Sequence, residues 1–273
     1  MSGADDGSVF GLAGKAALVV GGGSRIGAAT AGLLASAGDR VVVADVDGDR
    51  AKAVAGEVGG IAAIAGDVTK AAEAERVVDE AHAALGGLDA VANIVGLASW
   101  GDLMSMDAAT WEHDLAINLN HHLYVGRAAA RHMIADGSGG ALALVTSISG
   151  LYGAPNHAAY GAAKAGAMAL ARTMANEWAP HGIRVNCVAP DVIGTPRVLT
   201  GFAERGITDV DAIVADEVPL GRWGRPEEIA GPLVFLLSKL SSFMTGQTLI
   251  VDGGSIVQFP HMGPRPFSAP DPA

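Results

Sequence analysis

The chain has 273 residues, half of them hydrophobic and 17% charged, with 29 acidic against 18 basic side chains and a formal net charge of −11. The apolar content excludes disorder as the main state, the acidic balance speaks against an electrostatic nucleic-acid binder, and the single cysteine, Cys187, excludes a disulfide scaffold. Charges interrupt the longest apolar stretches before the roughly 18 residues a bilayer span needs. Residues 1–10 carry Asp5 and Asp6 and no basic stretch, so no signal peptide is predicted and the cytoplasm is the expected location.

Apolar runs of strand length alternate with stretches of helical period. Strands are predicted at Ala16 to Val20, Val41 to Ala44, Ile61 to Ala65 and Leu88 to Ala92. Helices are predicted between them at Ile26 to Ala37, Asp49 to Val58 and Ala71 to Leu85. Trp111 to Met133 reads as one or two helices. Ala141 to Val145 is a strand, Ala158 to Trp178 a long helix stopped by Pro180, and Ile183 to Val188 a strand. Glu227 to Ser238 follows Pro226 as a helix, and Leu249 to Val251 is a last short strand. Strands that are continuously apolar rather than alternating imply a parallel sheet covered on both faces. The expected fold is therefore a doubly wound α/β sheet, one domain over residues 1–273. Thr195 to Val218 is left unassigned, and the proline-rich tail 257–273 is expected to be extended or irregular. Its Phe259 and Phe267 predict that it packs on a neighbouring subunit or over a pocket mouth.

Gly21-Gly22-Gly23-Ser24-Arg25-Ile26-Gly27 ends the first strand and opens a helix. Glycines there allow a sharp turn and let a pyrophosphate approach the helix N-terminus. Alone, such a cluster also reads as a tight strand–helix turn. Asp45 lies 18 residues after Gly27 at the next strand end, where a carboxylate can accept both ribose hydroxyls and repel a 2′-phosphate. Its plainer reading is a turn residue. Asp67 could cap through Thr69 or contact an adenine edge.

Tyr160 and Lys164 are four apart on a predicted helix, hence on one face. Ser147 precedes Tyr160 by thirteen residues and follows a strand, at the sheet edge where ligands bind. Oxidation of an alcohol needs a base for its proton while hydride leaves to a nicotinamide. A tyrosine serves if a nearby ammonium lowers its pKa, and a serine can orient the reacting oxygen. Each residue alone has a structural reading; the combination behind a phosphate loop favours chemistry.

With these motifs the sequence resembles the short-chain dehydrogenase/reductase family over nearly all of residues 14–254. The matching pieces include Gly21 to Gly27, Asp67-Val68, Asn93-x-x-Gly96, Asn118, Ser147, Tyr160-x-x-x-Lys164, Arg184-Val185-Asn186, Pro190, Thr195-Pro196 and Val251-Asp252-Gly253-Gly254. The resemblance implies a Rossmann-type fold and a catalytic set of Asn118, Ser147, Tyr160 and Lys164, with Asn118 holding a water in a relay with Lys164. It implies cofactor contacts from Asp67, Val68, Asn93, Lys164, Ile193 and Thr195, which join the expected contacts of Gly21, Gly23, Ser24, Arg25, Ile26, Asp45 and Tyr160. It also implies a homo-oligomer, a tetramer or dimer. The family's usual residues are replaced at Val20, Arg25, Ile94-Val95, His121 and Asp191. Cys187 is expected in the core, His157 at the surface of a helix start, and no metal is expected.

The expected activity is NAD-dependent interconversion of a secondary alcohol and a ketone. The alternatives are an NADP-dependent carbonyl reductase, or a regulatory protein that binds NAD without catalysis. Specificity is expected in residues 97–105, 151–157 and 194–218. Their Trp100, Leu103, Met104, Leu151, Tyr152, Val198, Leu199 and Phe202 favour an apolar or alicyclic substrate.

Overall fold

A computed structural model describes residues 9–194, 200, 203 and 209–257. Seven strands form one sheet: β1 (Ala16–Val20), β2 (Arg40–Asp45), β3 (Ala62–Ala65), β4 (Ala90–Asn93), β5 (Gly140–Val145), β6 (Ile183–Pro190) and β7 (Thr248–Val251). All neighbours are parallel, in the order β3-β2-β1-β4-β5-β6-β7. The helices are α1 (Arg25–Ser36), α2 (Gly48–Val58), α3 (Ala71–Leu85), α4 (Ala108–Leu115), α5 (His121–Asp136), α6 (Ala158–Trp178), α7 (Val210–Glu217) and α8 (Pro226–Leu237). The Rossmann-type doubly wound sheet expected from the sequence is present.

Successive strand residues point to opposite faces. Leu18, Val42, Leu142 and Leu144 pack with Val77, Leu85, Val125 and Met133 of α3 and α5. Val19, Val43, Ala141 and Ala143 pack on the other face with Leu34, Val54 and Leu233 of α1, α2 and α8. Two covered faces explain why the strands read as unbroken apolar runs. The strand order reverses between β1 and β4, whose ends Val20 and Asn93 lie side by side. This reversal opens the crevice in which such sheets hold ligands.

Three features go beyond the predicted elements. β6 runs on to Pro190, two residues past the predicted end, because a proline closing a strand forfeits no needed donor. The stretch read as one or two helices, Trp111 to Met133, is occupied by α4 and α5 joined through a π turn over Ala116–Asn120. Part of the unassigned segment forms α7, capped by the Asp209 side chain on the Ala212 N–H at 3.2 Å. The tail beyond Val257, with Thr195 to Leu199 and Phe202, lies outside the described residues.

Candidate active site

The turn from β1 to α1 is built for close approach. Gly21 has φ 78°, and its N–H and that of Gly22 both donate to the Ala44 carbonyl at 2.9 Å. A Cβ on Gly27 would lie 2.0 Å from the Gly21 carbonyl oxygen, and one on Gly23 would lie 2.7 Å from Asp45 Oδ2. Helix α1 starts with no side-chain cap and no acid in its first turn, whereas α2 is capped by Asp47. The positive end of α1 is thus left to an anion. Arg25 is exposed at this turn with φ 52°. That left-handed backbone is one that glycine adopts at the least cost.

Asp45 ends β2 against the loop. Its Oδ2 accepts from the Gly23 N–H at 3.0 Å, its Oδ1 accepts from Asp47 N–H at 3.0 Å, and Arg50 lies 3.4 Å away. These residues fit a dinucleotide: a glycine cradle with no room for side chains, an uncapped helix end and an acid at the tip of the next strand. Asp67 accepts from the Thr69 hydroxyl at 2.6 Å and pairs with Lys70; the Thr69 bond above all, and then Lys70, hold its carboxyl below the usual range. Val68 is buried in the core. Asn93 is fully buried with its side chain bonded to His121 of α5, the ring Nδ1 at 3.1 Å. His121 and His122 are both fully buried, their rings 3.9 Å apart, and burial drives both well below the ordinary histidine value.

The proton-handling residues converge from three elements. Ser147 follows β5 at the head of a 3₁₀ turn (Ile148–Gly150), its oxygen accepting from Ser149 N–H at 3.2 Å. Gly150 lets that turn seat on α6, since a Cβ there would lie 2.6 Å from Ala165 N. Tyr160 and Lys164 share one face of α6. Lys164 Nζ donates to the Val145 carbonyl at 3.0 Å and lies 5.6 Å from the Tyr160 ring centre. Asn118 lies in the π turn, which widens the helix where such bulges commonly serve a site. Its Oδ1 accepts from Leu97 N–H at 2.9 Å, and its amide donates to Leu97 and Asp114 carbonyls at 2.7 and 3.1 Å. Gly96 occupies the meeting point: a Cβ there would lie 3.0 Å from Lys164 Nζ and 3.2 Å from Asn118 Oδ1.

Burial brings the Lys164 ammonium down to about 8. It pushes the Tyr160 phenol above its ordinary value; the Ser147 hydroxyl pulls it back, and Asp114 pushes it up again. The expected lowering of Tyr160 by Lys164 is therefore corrected. In this arrangement desolvation dominates, and the ammonium is turned to Val145 rather than to the phenol oxygen.

Ile193 is buried in a bridge with Gly224 that uses the Val192 carbonyl and the Gly194 N–H, leaving its own peptide groups out of that pairing. Thr195 lies outside the described residues. Asp191 is engaged elsewhere: Ser255 donates to its Oδ2 at 2.5 Å, joining the ends of β6 and β7. Cys187 is fully buried with its thiol pushed up to about 12, as a core residue. His157 departs from the surface reading. It stands just before α6 without a side-chain cap, packs its ring 3.5 Å from that of Trp100, and lies 5.3 Å from the Tyr160 ring. The sequence reading also passed over Asp114, 1% exposed, which accepts from the Ser99 hydroxyl at 2.6 Å. Nothing in its run of polar helix neighbours signals that burial.

Residues 21–255 match the family described as enoyl-(acyl carrier protein) reductase. The chain is 41% identical to cis-4-hydroxycyclohexanecarboxylate dehydrogenase of Sinomonas cyclohexanicum, over 88% of this chain and 96% of the relative. It is 33% identical to D-threitol dehydrogenase of Mycolicibacterium smegmatis, over 91% and 95%. The crystal structure of a short-chain type dehydrogenase/reductase from Mycobacterium marinum superposes with a TM-score of 0.81 at 34% identity, covering 90% of this chain and 97% of that one. The chain belongs to the short-chain dehydrogenase/reductase family of oxidoreductases.

Proposed function

We propose that the chain is an NAD-dependent dehydrogenase that interconverts an alicyclic secondary alcohol and its ketone, with Tyr160 as general acid/base. The observation that carries this reading is the half-buried Tyr160 with the Ser147 hydroxyl on its phenol and the Lys164 ammonium 5.6 Å from its ring, at the C-terminal edge of β5. Two hydroxyls that meet suit a single reacting oxygen. That favours carbinol–carbonyl chemistry over reduction of a carbon–carbon double bond, which the description of the matching family names. When bound, the nicotinamide supplies the hydride acceptor. Ser147 orients the carbinol oxygen, Tyr160 Oη takes its proton, and Lys164 with Asn118 carries charge and proton away from the phenol. Main-chain groups of Ile193 and the Thr195 hydroxyl are proposed to hold the carboxamide. Asp45, little exposed beside Gly23, supports NAD over NADP through repulsion of a 2′-phosphate.

The substrate class follows from the loops over the site. Residues 97–105 and 151–157 meet where Gly101 N–H donates to the Asn156 carbonyl at 3.0 Å. They expose Trp100, Leu103, Met104, Leu151 and Tyr152. A relative 41% identical is named for a hydroxylated cyclohexane ring. Exposed Leu240, Phe243 and Ile250 near the β7 edge support self-association.

The test is nicotinamide absorbance with cis-4-hydroxycyclohexanecarboxylate and cyclohexanol, NAD against NADP. Tyr160→Phe should lose about 10²–10⁴-fold in turnover while keeping cofactor affinity. Equal use of both cofactors would return the NADP reading. Cofactor binding with no turnover of any alcohol or ketone would return the regulatory one.

A further inference from the structure

His157 joins the catalytic tyrosine to the loop above it. Its ring centre lies 5.3 Å from that of Tyr160 at a tilt of 46°, and 3.5 Å from that of Trp100 at a tilt of 42°. The three rings form a continuous row. It starts at the reacting phenol and ends on an indole that is 48% exposed.

The loop that carries Trp100 is fixed along its length. Leu97 donates its N–H to Asn118 Oδ1 at 2.9 Å, and its carbonyl accepts from the Asn118 amide at 2.7 Å. Ser99 Oγ donates to Asp114 at 2.6 Å, and Gly101 N–H donates to the Asn156 carbonyl at 3.0 Å. Asn156 holds φ 62°, a left-handed backbone that asparagine tolerates, and sets the direction of the chain into His157. Such anchoring meets the ordering cost of the loop before any ligand arrives. An indole has two apolar faces. His157 lies against one of them, and the half-exposure of Trp100 leaves the remainder of its surface open beside the crevice. A cyclic alcohol with its carbinol carbon at the Tyr160 hydroxyl would extend along this row and lay an apolar face on it. A short acyclic alcohol would reach Tyr160 without touching Trp100.

We propose that His157 is a specificity-determining residue: wedged between Tyr160 and Trp100, it backs an aromatic wall that selects ring-bearing secondary alcohols over short acyclic ones. The proposal rests on the secondary-alcohol reading of the site. It adds the residue that sets the selection, which neither takes the substrate proton nor holds the cofactor.

The experiment measures the ratio of kcat/KM for cyclohexanol to that for 2-propanol in wild type, His157→Ala, His157→Phe and Trp100→Ala. His157→Ala withdraws the backing and should lower the ratio about tenfold, as should Trp100→Ala, with the loss carried by the KM for cyclohexanol. His157→Phe keeps a ring in the row and should hold the ratio within about twofold of wild type. Quenching of tryptophan emission by cyclohexanone in the NAD complex, abolished in Trp100→Phe, reads the same contact without turnover. An unmoved ratio in both alanine variants overturns the proposal. So does an equal loss on both alcohols, which marks a purely structural role. His157→Leu and Trp100→Leu serve if the alanine variants do not fold, and failure of these to fold assigns the rings to packing and also overturns it. If no alcohol or ketone turns over while cyclohexanone still quenches Trp100, the dehydrogenase reading fails and the wall stands.

Discussion

Two glycines of α1, five residues apart, should respond to alanine with opposite signs. A Cβ on Gly27 meets three backbone atoms: the Gly21 oxygen at 2.0 Å, the Gly21 carbon at 2.8 Å and the Gly22 Cα at 2.8 Å. None can rotate away. Since carbon–oxygen contacts settle near ~3.3 Å, the turn must open by about 1.3 Å. Gly21 and Gly22 are tied to Ala44, and Gly27 N–H to the Ser24 carbonyl, so opening sacrifices at least one backbone hydrogen bond. Overpacking and that lost bond together cost about 2–4 kcal/mol, a fall of roughly 5–15 °C in Tm for a chain of this size. Displacing phosphate donors by this distance should weaken NADH binding on the order of 10²-fold. Gly32 is different: its Cβ would find only Val58 Cγ1, at 3.9 Å. Removing a mid-helix glycine there should stabilise by about 0.5–1 kcal/mol, raising Tm by roughly 1–4 °C, with NADH affinity unchanged. Thermal melts and NADH fluorescence titrations of the two variants check both signs. A Gly27→Ala protein that melts and binds like wild type would refute the geometry of the turn.

Other outcomes follow from single residues. Asp45→Ser should weaken NAD binding and raise the use of NADP, read as the ratio of kcat/KM values; an unchanged ratio would remove Asp45 from cofactor choice. Asp39 is 8% exposed with both oxygens unpartnered, and burial raises its carboxyl to about 7. A carboxyl raised above its unfolded value favours the fold below about pH 4, and that contribution is lost as pH rises to about 7, up to ~4 kcal/mol. Asp39→Asn should therefore match wild type in Tm near pH 4 and exceed it by several degrees at pH 8. A gap that does not vary with pH would count against this. The Cys187 thiol, fully buried and pushed up to about 12, should stay unlabelled by a disulfide reagent at pH 8 until the protein unfolds. Rapid labelling of the native protein would place it outside the core.

The strands were legible because burial on both faces leaves an unmixed apolar signature; Ala16–Val20, Ala71–Leu85 and Ala158–Trp178 match their predicted bounds. The π turn was not, because one extra residue per turn barely disturbs helical periodicity over Ala116–Asn120. Tyr160, Lys164 and Ser147 were legible from spacing, since four residues on a helix and a strand end fix their direction. The partners that set their electrostatics were not. Asp114 follows Glu112 and His113, and the loop bearing Ser99 folds over it. His157 reads as an exposed cap until Trp100 covers it. Such contacts join distant segments, and local pattern carries no trace of them.

The sheet closes late in synthesis. β6 finds its outer partner only in β7, with Cys187 opposite Thr248, 61 residues further along. At about 5–20 residues per second, a ribosome needs roughly 3–12 s to deliver that last strand. During this interval one edge of β6 carries unpaired peptide groups beside side chains that end fully buried, among them Val185, Cys187 and Val188. Chains cut short before Thr248 keep that edge open permanently, a ready template for pairing with other chains. Premature termination here should thus yield insoluble protein rather than a merely weakened enzyme.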